Sequence, residues 1–221
     1  PRNAVGHGLG YATANRGGCH LNAGYLIFLE RIGPVNLDPH HTGAKPAFTV
    51  FQQNTFEAVS SAGICLFTTY AMIPPAAFNM SPSGIAMTII SRALTYSGPV
   101  MNMQNLLIPH GMPINIPMML PHPLAIAKLT GMKMTMGRFL MAGERTWNIE
   151  RLFNLREGLT KANDTIPDRF LSELEDPANP KTRVPLDKML PRYYKIRGWD
   201  KNGLPAPRRL KKLGMAEYSK K

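Results

Sequence analysis

Between Glu57 and Arg92 the sequence carries no charged residue. A stretch of that length without charge has to be withdrawn from water, either inside a protein or inside a bilayer. The residues themselves argue against the bilayer. Ser60, Ser61, Thr68 and Thr69 dilute the apolar run Val59–Phe78, and Pro74-Pro75 would break a spanning helix. The mean hydropathy of the chain is slightly negative. No membrane span is expected, and a helix buried inside a large protein is.

The charge-poor character extends further. Residues 1–137 hold only Arg2, Arg16, Arg31, Lys45, Arg92, Lys128 and Lys133 against Glu30, Asp38 and Glu57, although the whole chain has 26 basic and 14 acidic side chains and a net charge of +12. The first part of the chain is built for burial, while the charges after residue 137 alternate in sign as on a solvated helical surface. A basic balance alone points to nucleic acid, an anionic surface or an acidic protein partner. No zinc-finger spacing or aromatic RNA-binding motif accompanies it, so no nucleic acid is expected. With 221 residues, 44% of them hydrophobic, the chain is long enough for one large or two small domains. Two cysteines, Cys19 and Cys65, are too few for a disulfide framework and point to a reducing, cytoplasmic setting. The first residues lack the basic-then-apolar pattern of a signal peptide, and Pro1 is no initiator, which suggests a chain that begins inside a longer protein or has lost its start.

The organisation reads as mainly α, an irregular multi-helix arrangement in three regions: 1–98, a proline-rich connection over 99–133, and 134–221. Gly6, Gly8, Gly10, Gly17, Gly18 and Gly24 make the opening segment one of close backbone approach. Residues 45–72 have helical periodicity, with Gly63 placing Cys65 at a helix end or bend. Ser81-Pro82 is a helix start that leads to Tyr96. Pro109, Pro113, Pro117, Pro121 and Pro123 predict an irregular connection. Twelve of the 14 methionines fall between Met72 and Met141, a pattern suited to adaptable apolar packing against another domain. A long amphipathic helix is predicted from Thr135 to Lys161, with Phe139, Ala142, Thr146, Ile149 and Phe153 on its buried face and Glu144 and Arg151 off it. Gly158 is positioned to end that helix. A further helix is predicted from Asp187, as cap, to Arg197, closed by Gly198, and a short basic one over Pro207–Leu213.

Two segments have residue types suited to chemistry. In Asn15-Arg16-Gly17-Gly18-Cys19-His20, glycines present a guanidinium and an imidazole on a close-approach loop. Arginine donates several fixed hydrogen bonds to an anion or a carbonyl, and histidine exchanges a proton near neutrality. The same composition also suits a simple hydrogen-bonded turn. His7, His40, His41, His110 and His122 have weaker contexts. The second segment is Ser60-Ser61-Ala62-Gly63-Ile64-Cys65, where a lone cysteine is ordinarily just a small apolar residue.

Together with a third segment, these resemble the C-terminal domains of the aldehyde ferredoxin oxidoreductase family. Gly8 through Leu21 is similar to the loop leading to that family's active-site histidine. Gly63-Ile64-Cys65 is similar to the second of two D-x-x-G-L-(C/D) pterin motifs. Asn154-Leu155-Arg156-Glu157-Gly158, then Asp164, Pro167 and Arg169, then Leu186-Asp187-Lys188-Met189-Leu190 with Tyr193-Tyr194 and Arg197-Gly198-Trp199-Asp200, resembles the closing signature.

The resemblance implies a tungstopterin cofactor of the tungsten-bis-molybdopterin type and a [4Fe–4S] cluster to which this chain gives one ligand. It implies Cys65 as that ligand, His20 as the catalytic proton-transfer group beside the metal, and Arg16, Asn22, Ser60, Ile64 and Leu66 as cofactor contacts. The implied reaction is oxidation of an aldehyde and water to a carboxylate with electrons passed to ferredoxin. The implied partners are the N-terminal portion of the same enzyme or a complementary subunit, with homo-oligomers within the family's range. Ser60 stands where the motif has aspartate and Asn22 where well-known members have lysine, so the cofactor's surroundings lose charge at both positions. That keeps open a related reductase of another substrate, such as an aromatic thioester, and a non-catalytic remnant or subunit.

Overall fold

Helix α2 (Lys45–Ser61) is almost wholly buried, including Gln53, Asn54 and Thr55, and a helix buried on all sides needs partners on all sides. The computed structural model, which describes residues 1–72, 75–107, 115 and 120–220, surrounds it with them. Helix α1 (Val5–Thr13), helix α5 (Gly98–Leu107), helix α7 (Met136–Arg156), helix α9 (Leu186–Arg197) and the 3-10 turn Leu66–Met72 all pack on α2. Shorter helices α3 (Pro75–Phe78), α4 (Ile85–Thr95), α6 (His122–Thr130), α8 (Asp168–Ser172) and α10 (Pro207–Lys212) complete the chain. Among the described residues there is no strand, only an isolated bridge between Trp199 and Pro205. The mainly α class is as expected. No helix of the described residues is long and apolar enough to cross a membrane.

Several boundaries differ from expectation. Val5–Thr13 is a helix, and its Gly10 serves close approach: a Cβ there would lie 2.2 Å from the Ala23 carbonyl oxygen. The predicted helix 45–72 divides at residues 62–65 into α2 and a 3-10 turn. Ser81 does not cap a helix; its carbonyl accepts from Gly84 N–H at 2.9 Å, closing a turn, so α4 starts at Ile85. The 99–133 stretch is more helical than its prolines suggested, because α5 ends before them and α6 takes Pro123 within its first two positions, where a missing N–H costs nothing. Pro74, Pro109, His110, Met112, Pro113, Pro117, Met118 and Met119 lie outside the described residues. Helix α9 begins at Leu186 with Asp187 in its first turn and no side-chain cap bond.

The long helix is capped by Thr135, whose hydroxyl accepts from Arg138 N–H, and ends at Arg156. Its inward face is only in part the one expected: Phe139 is buried as predicted. Ile149 and Phe153 are exposed, whereas Gly143, Glu144, Trp147, Asn148 and Arg151 are buried. The reason is contact between backbones: a Cβ on Gly143 would sit 1.8 Å from the Asn54 carbonyl oxygen, so α7 meets α2 with no side chain between them. The charges on that face are paired. Arg151 binds Asp164 through two bonds of 2.7 Å, and Tyr194 donates to the same carboxylate. Arg209 Nε donates to Glu144 at 2.7 Å. The closing signature is therefore part internal bracing, through Asp164, Tyr193, Tyr194, Arg197 and Trp199, and part exposed surface, at Arg156, Glu157, Arg169, Asp187, Lys188 and Asp200. Arg197, fully buried, donates to Gln53 at 2.8 Å, Asn54, and Tyr193 at 3.0 Å, with its guanidinium 4.8 Å from the Trp147 ring centroid.

Candidate functional site

The first site segment leaves α1 at Thr13, whose hydroxyl accepts from Gln53 Nε2 of α2 at 3.1 Å. Asn15 then fixes the loop to α7: its Nδ2 donates to the Trp147 carbonyl at 3.0 Å and to Glu150 at 3.2 Å, while Asn154 Nδ2 donates to the Asn15 carbonyl at 2.7 Å. Beyond this anchor Arg16, Gly17, Gly18 and His20 are exposed. A Cβ on Gly17 or Gly18 would meet nothing within 4 Å, so the space beside them is open. A cleft of about 440 Å³ adjoins the loop, with Tyr11, Asn15 and Gly17 on one wall and Asn154, Ile166 and Phe170 on the other.

Behind His20 stands an aromatic group that the sequence reading did not identify. The His20 ring lies 5.7 Å from Tyr25, which in turn lies 6.2 Å from His7, and His7 meets Tyr11 edge-on at 4.6 Å. Burial, with the positive charges of the N-terminus and His20 adding to it, pushes the His7 pKa down to about 3, so the buried ring is neutral. The first turn containing His7 is held by Glu30, whose carboxylate accepts from Gly6 and His7 N–H at 2.9 and 3.0 Å and pairs with buried Lys45 at 2.8 Å.

The second segment is the end of α2. Gly63, with φ +69°, takes the left-handed position that stops the helix: Gly63 N–H donates to Ser60 carbonyl at 3.0 Å and Ile64 N–H to Val59 carbonyl at 3.2 Å. Ile64 and Leu66 turn partly inward against Val59 and Phe139, leaving Cys65 between them as an exposed free thiol, with Ser60 exposed one turn earlier. The turn is locked from below. The Thr68 hydroxyl donates to the Cys65 carbonyl at 2.7 Å and lies 2.8 Å from His122 Nε2. Having given its proton to the carbonyl, it accepts from Nε2–H, which fixes the tautomer of His122. His122 is buried and stacks on Phe139 with 6.0 Å between centroids.

A side-chain bond joins the two segments. Asn22 is fully buried, and its Nδ2 donates to Glu57 at 2.6 Å on α2, while its Oδ1 accepts from Arg16 N–H at 3.4 Å. Asn22 thus lies at the base of the loop. Burial pushes the Glu57 carboxyl up to about 7, reinforced by the charge of Glu150 and opposed by Arg16, Asn22 and Arg197. Burial raises Glu150 too, opposed by Asn15 and Arg16. Neither glutamate was among the predicted site residues. One signal was present: Glu57 is the only acid between Asp38 and Glu144, an isolated carboxyl on a helix whose one other charged residue is Lys45 at its start.

Among the described residues no group of three or more histidines, cysteines, aspartates or glutamates is arranged to hold a metal ion, so Cys65 stands as a single donor. Its exposure, and that of Ser60, Arg16 and His20, fits residues that contribute to a group held mainly by other parts of a protein.

Comparison with known proteins bears on that. The sequence model for aldehyde ferredoxin oxidoreductase, domains 2 & 3, matches residues 1–215. A tungsten-containing aldehyde ferredoxin oxidoreductase of Pyrococcus furiosus is 36% identical over 99% of the chain. Proteins of the same name from Pyrococcus horikoshii and Thermococcus kodakarensis are each 35% identical over 99% of it. The chain spans 29% of the length of each of these relatives.

Proposed function

The chain belongs to the aldehyde ferredoxin oxidoreductase family, and from that membership we propose that it forms one wall of the active site of a tungsten-dependent oxidoreductase that converts an aldehyde and water to a carboxylate and passes the electrons to ferredoxin. The observation that carries the reading is the pairing of two exposed segments, Arg16–His20 and Ser60–Leu66, on one braced scaffold, at the positions where the family resemblance puts its histidine and its cysteine.

Each residue has a defined task in this reading. Cys65 would give one thiolate to a [4Fe–4S] cluster, with the remaining ligands coming from residues outside this set. Ile64 and Leu66 would bracket the cluster and meet the pterin, and Arg16 and Ser60 would line it, while Asn22, expected as a further contact but fully buried against Glu57 and the Arg16 backbone, would support the loop from beneath. When bound, the tungstopterin supplies the two-electron redox chemistry. His20 Nε2 or Nδ1 would hold or accept the proton released as water adds to the carbonyl carbon. The cleft beside Gly17 and Gly18 would admit the organic part of the aldehyde. The exposed apolar side chains of α4 and α5, Ile85, Ile89, Val100 and Met103 among them, would pack on the remainder of the enzyme.

The test is metal analysis of the protein purified from its native source with whatever polypeptide accompanies it, followed by assay with an aldehyde and an electron acceptor. Tungsten with about four irons per complex, lost when Cys65→Ser removes the thiolate, is the expected result. A metal-free protein that oxidises no aldehyde would overturn the assignment.

A further inference from the structure

We propose that Glu57 is a positioning residue for the His20 loop: through Asn22 it fastens the turn carrying Arg16 and His20 to α2, the helix that leads into Ser60 and Cys65. The inference rests on the reading of that loop as the reactive segment. The geometry is specific. Asn22 is the one polar side chain of the loop that is fully buried, and it spends its amide on Glu57 and its carbonyl on the Arg16 backbone, while its own N–H points at Cys19 Sγ at 3.5 Å. The Asn22 side chain thereby ties residue 16 to residue 22, its backbone holds Cys19, and that side chain has one anchor on α2.

The anchor is itself enclosed. Glu57 faces Asn22 and Arg16 from the loop, Glu150 from α7 and Arg197 from α9. Glu57 stands three residues before Ser60, less than one helical turn, so motion of the loop relative to the end of α2 requires that bond to break. The exposed part of the loop runs from Arg16 to Gly18 and is held on either side by half-buried Asn15 and fully buried Asn22. Asn15 ties it to α7 and Asn22 to α2.

The experiment is amide hydrogen exchange, followed by mass spectrometry on the whole 221-residue chain at fixed pH, comparing Glu57→Ala, Glu57→Gln and Asn22→Ala with the unaltered protein. Loss of the buried anchor should raise exchange in residues 15–24 by about tenfold or more in the two alanine variants, while residues 207–213 stay unchanged. Glu57→Gln, which keeps an oxygen acceptor of the same reach, should restore protection to within about twofold. Protection of 15–24 that survives both alanine variants, or loosening that spreads equally to 207–213, would overturn the proposal. If Glu57→Ala fails to fold, Asn22→Ala, which removes only the loop-side half of the bond, decides. Because this readout needs no activity, the two readings separate. A protein that oxidises no aldehyde but whose loop opens in Asn22→Ala sinks the functional assignment and supports the anchor, and an active enzyme whose loop does not respond sinks the anchor alone.

Discussion

At the scale of single residues, burial sets Glu57 and His7 against each other as pH changes. Glu57 titrates near 7 in the fold against 4.5 ordinarily, so the native protein holds a proton that the unfolded chain has released over that interval. Its contribution is complete below 4.5 and is lost as pH rises through 7, with a ceiling of about 3 kcal/mol. His7 works the other way: with its pKa near 3 in place of 6.5, it favours the fold at neutral pH and withdraws that support as pH falls from 6.5 toward 3. Glu57→Gln should therefore raise the unfolding temperature at pH 8 and flatten its decline between pH 5 and 8, without altering the acid limb. Thermal melts across that range would show it, and a decline identical to the parent's would mean that Glu57 is not titrating there. These residue environments were the least legible part of the sequence. Arg16, His20 and Cys65 stood out by composition and resemblance, but the partners of Asn22, Glu57 and His122 come from segments 35 to 54 residues away, and no local pattern records a contact across that distance.

At the scale of elements, the legible features were those written in local chemistry: the start of the long helix at Thr135, the stops at Gly158 and Gly198, and the break at Gly63. The apolar stripe predicts the buried face of α7 at Phe139 but not at Ile149 and Phe153, because farther along the helix that face presents a glycine, Trp147 and paired charges. Gly143→Ala should be among the costlier single-methyl changes in the protein, since the added carbon would enter the Asn54 carbonyl. Overpacking of about 1–3 kcal/mol, or outright misassembly, is expected, measured as a lower midpoint in urea with an unchanged slope. The Arg151–Asp164 pair gives a second prediction. Asp164→Ala leaves a buried guanidinium with Tyr194 and the Gly203 carbonyl as its surroundings, and should cost about 3–5 kcal/mol. Replacing both partners with apolar residues should recover much of that loss in the same denaturation assay.

For the whole molecule, the charge-poor stretch that argued for burial is not all covered by this chain. Ile85, Ile89, Tyr96, Val100, Met103 and Leu106 are exposed on α4 and α5 or just after them, six large apolar side chains on two consecutive helices, and an apolar face of this kind ordinarily marks an interaction surface. The chain alone should bind a hydrophobic dye and self-associate once salt screens its +12 net charge, and co-expression with a polypeptide supplying the rest of the relatives' length should suppress both; a chain that stays monomeric and dye-free would show that this surface needs no cover. Within the molecule, the crossing of α2 and α7 at Gly143 has a further consequence. From that contact α7 runs on to hold Asn15, and α2 runs on past Glu57 to Cys65. The crossing therefore works as the pivot of a pair of calipers, with the imidazole loop on one arm and the thiol on the other. A fraction of an ångström added there, far from either tip, would reset the gap between them.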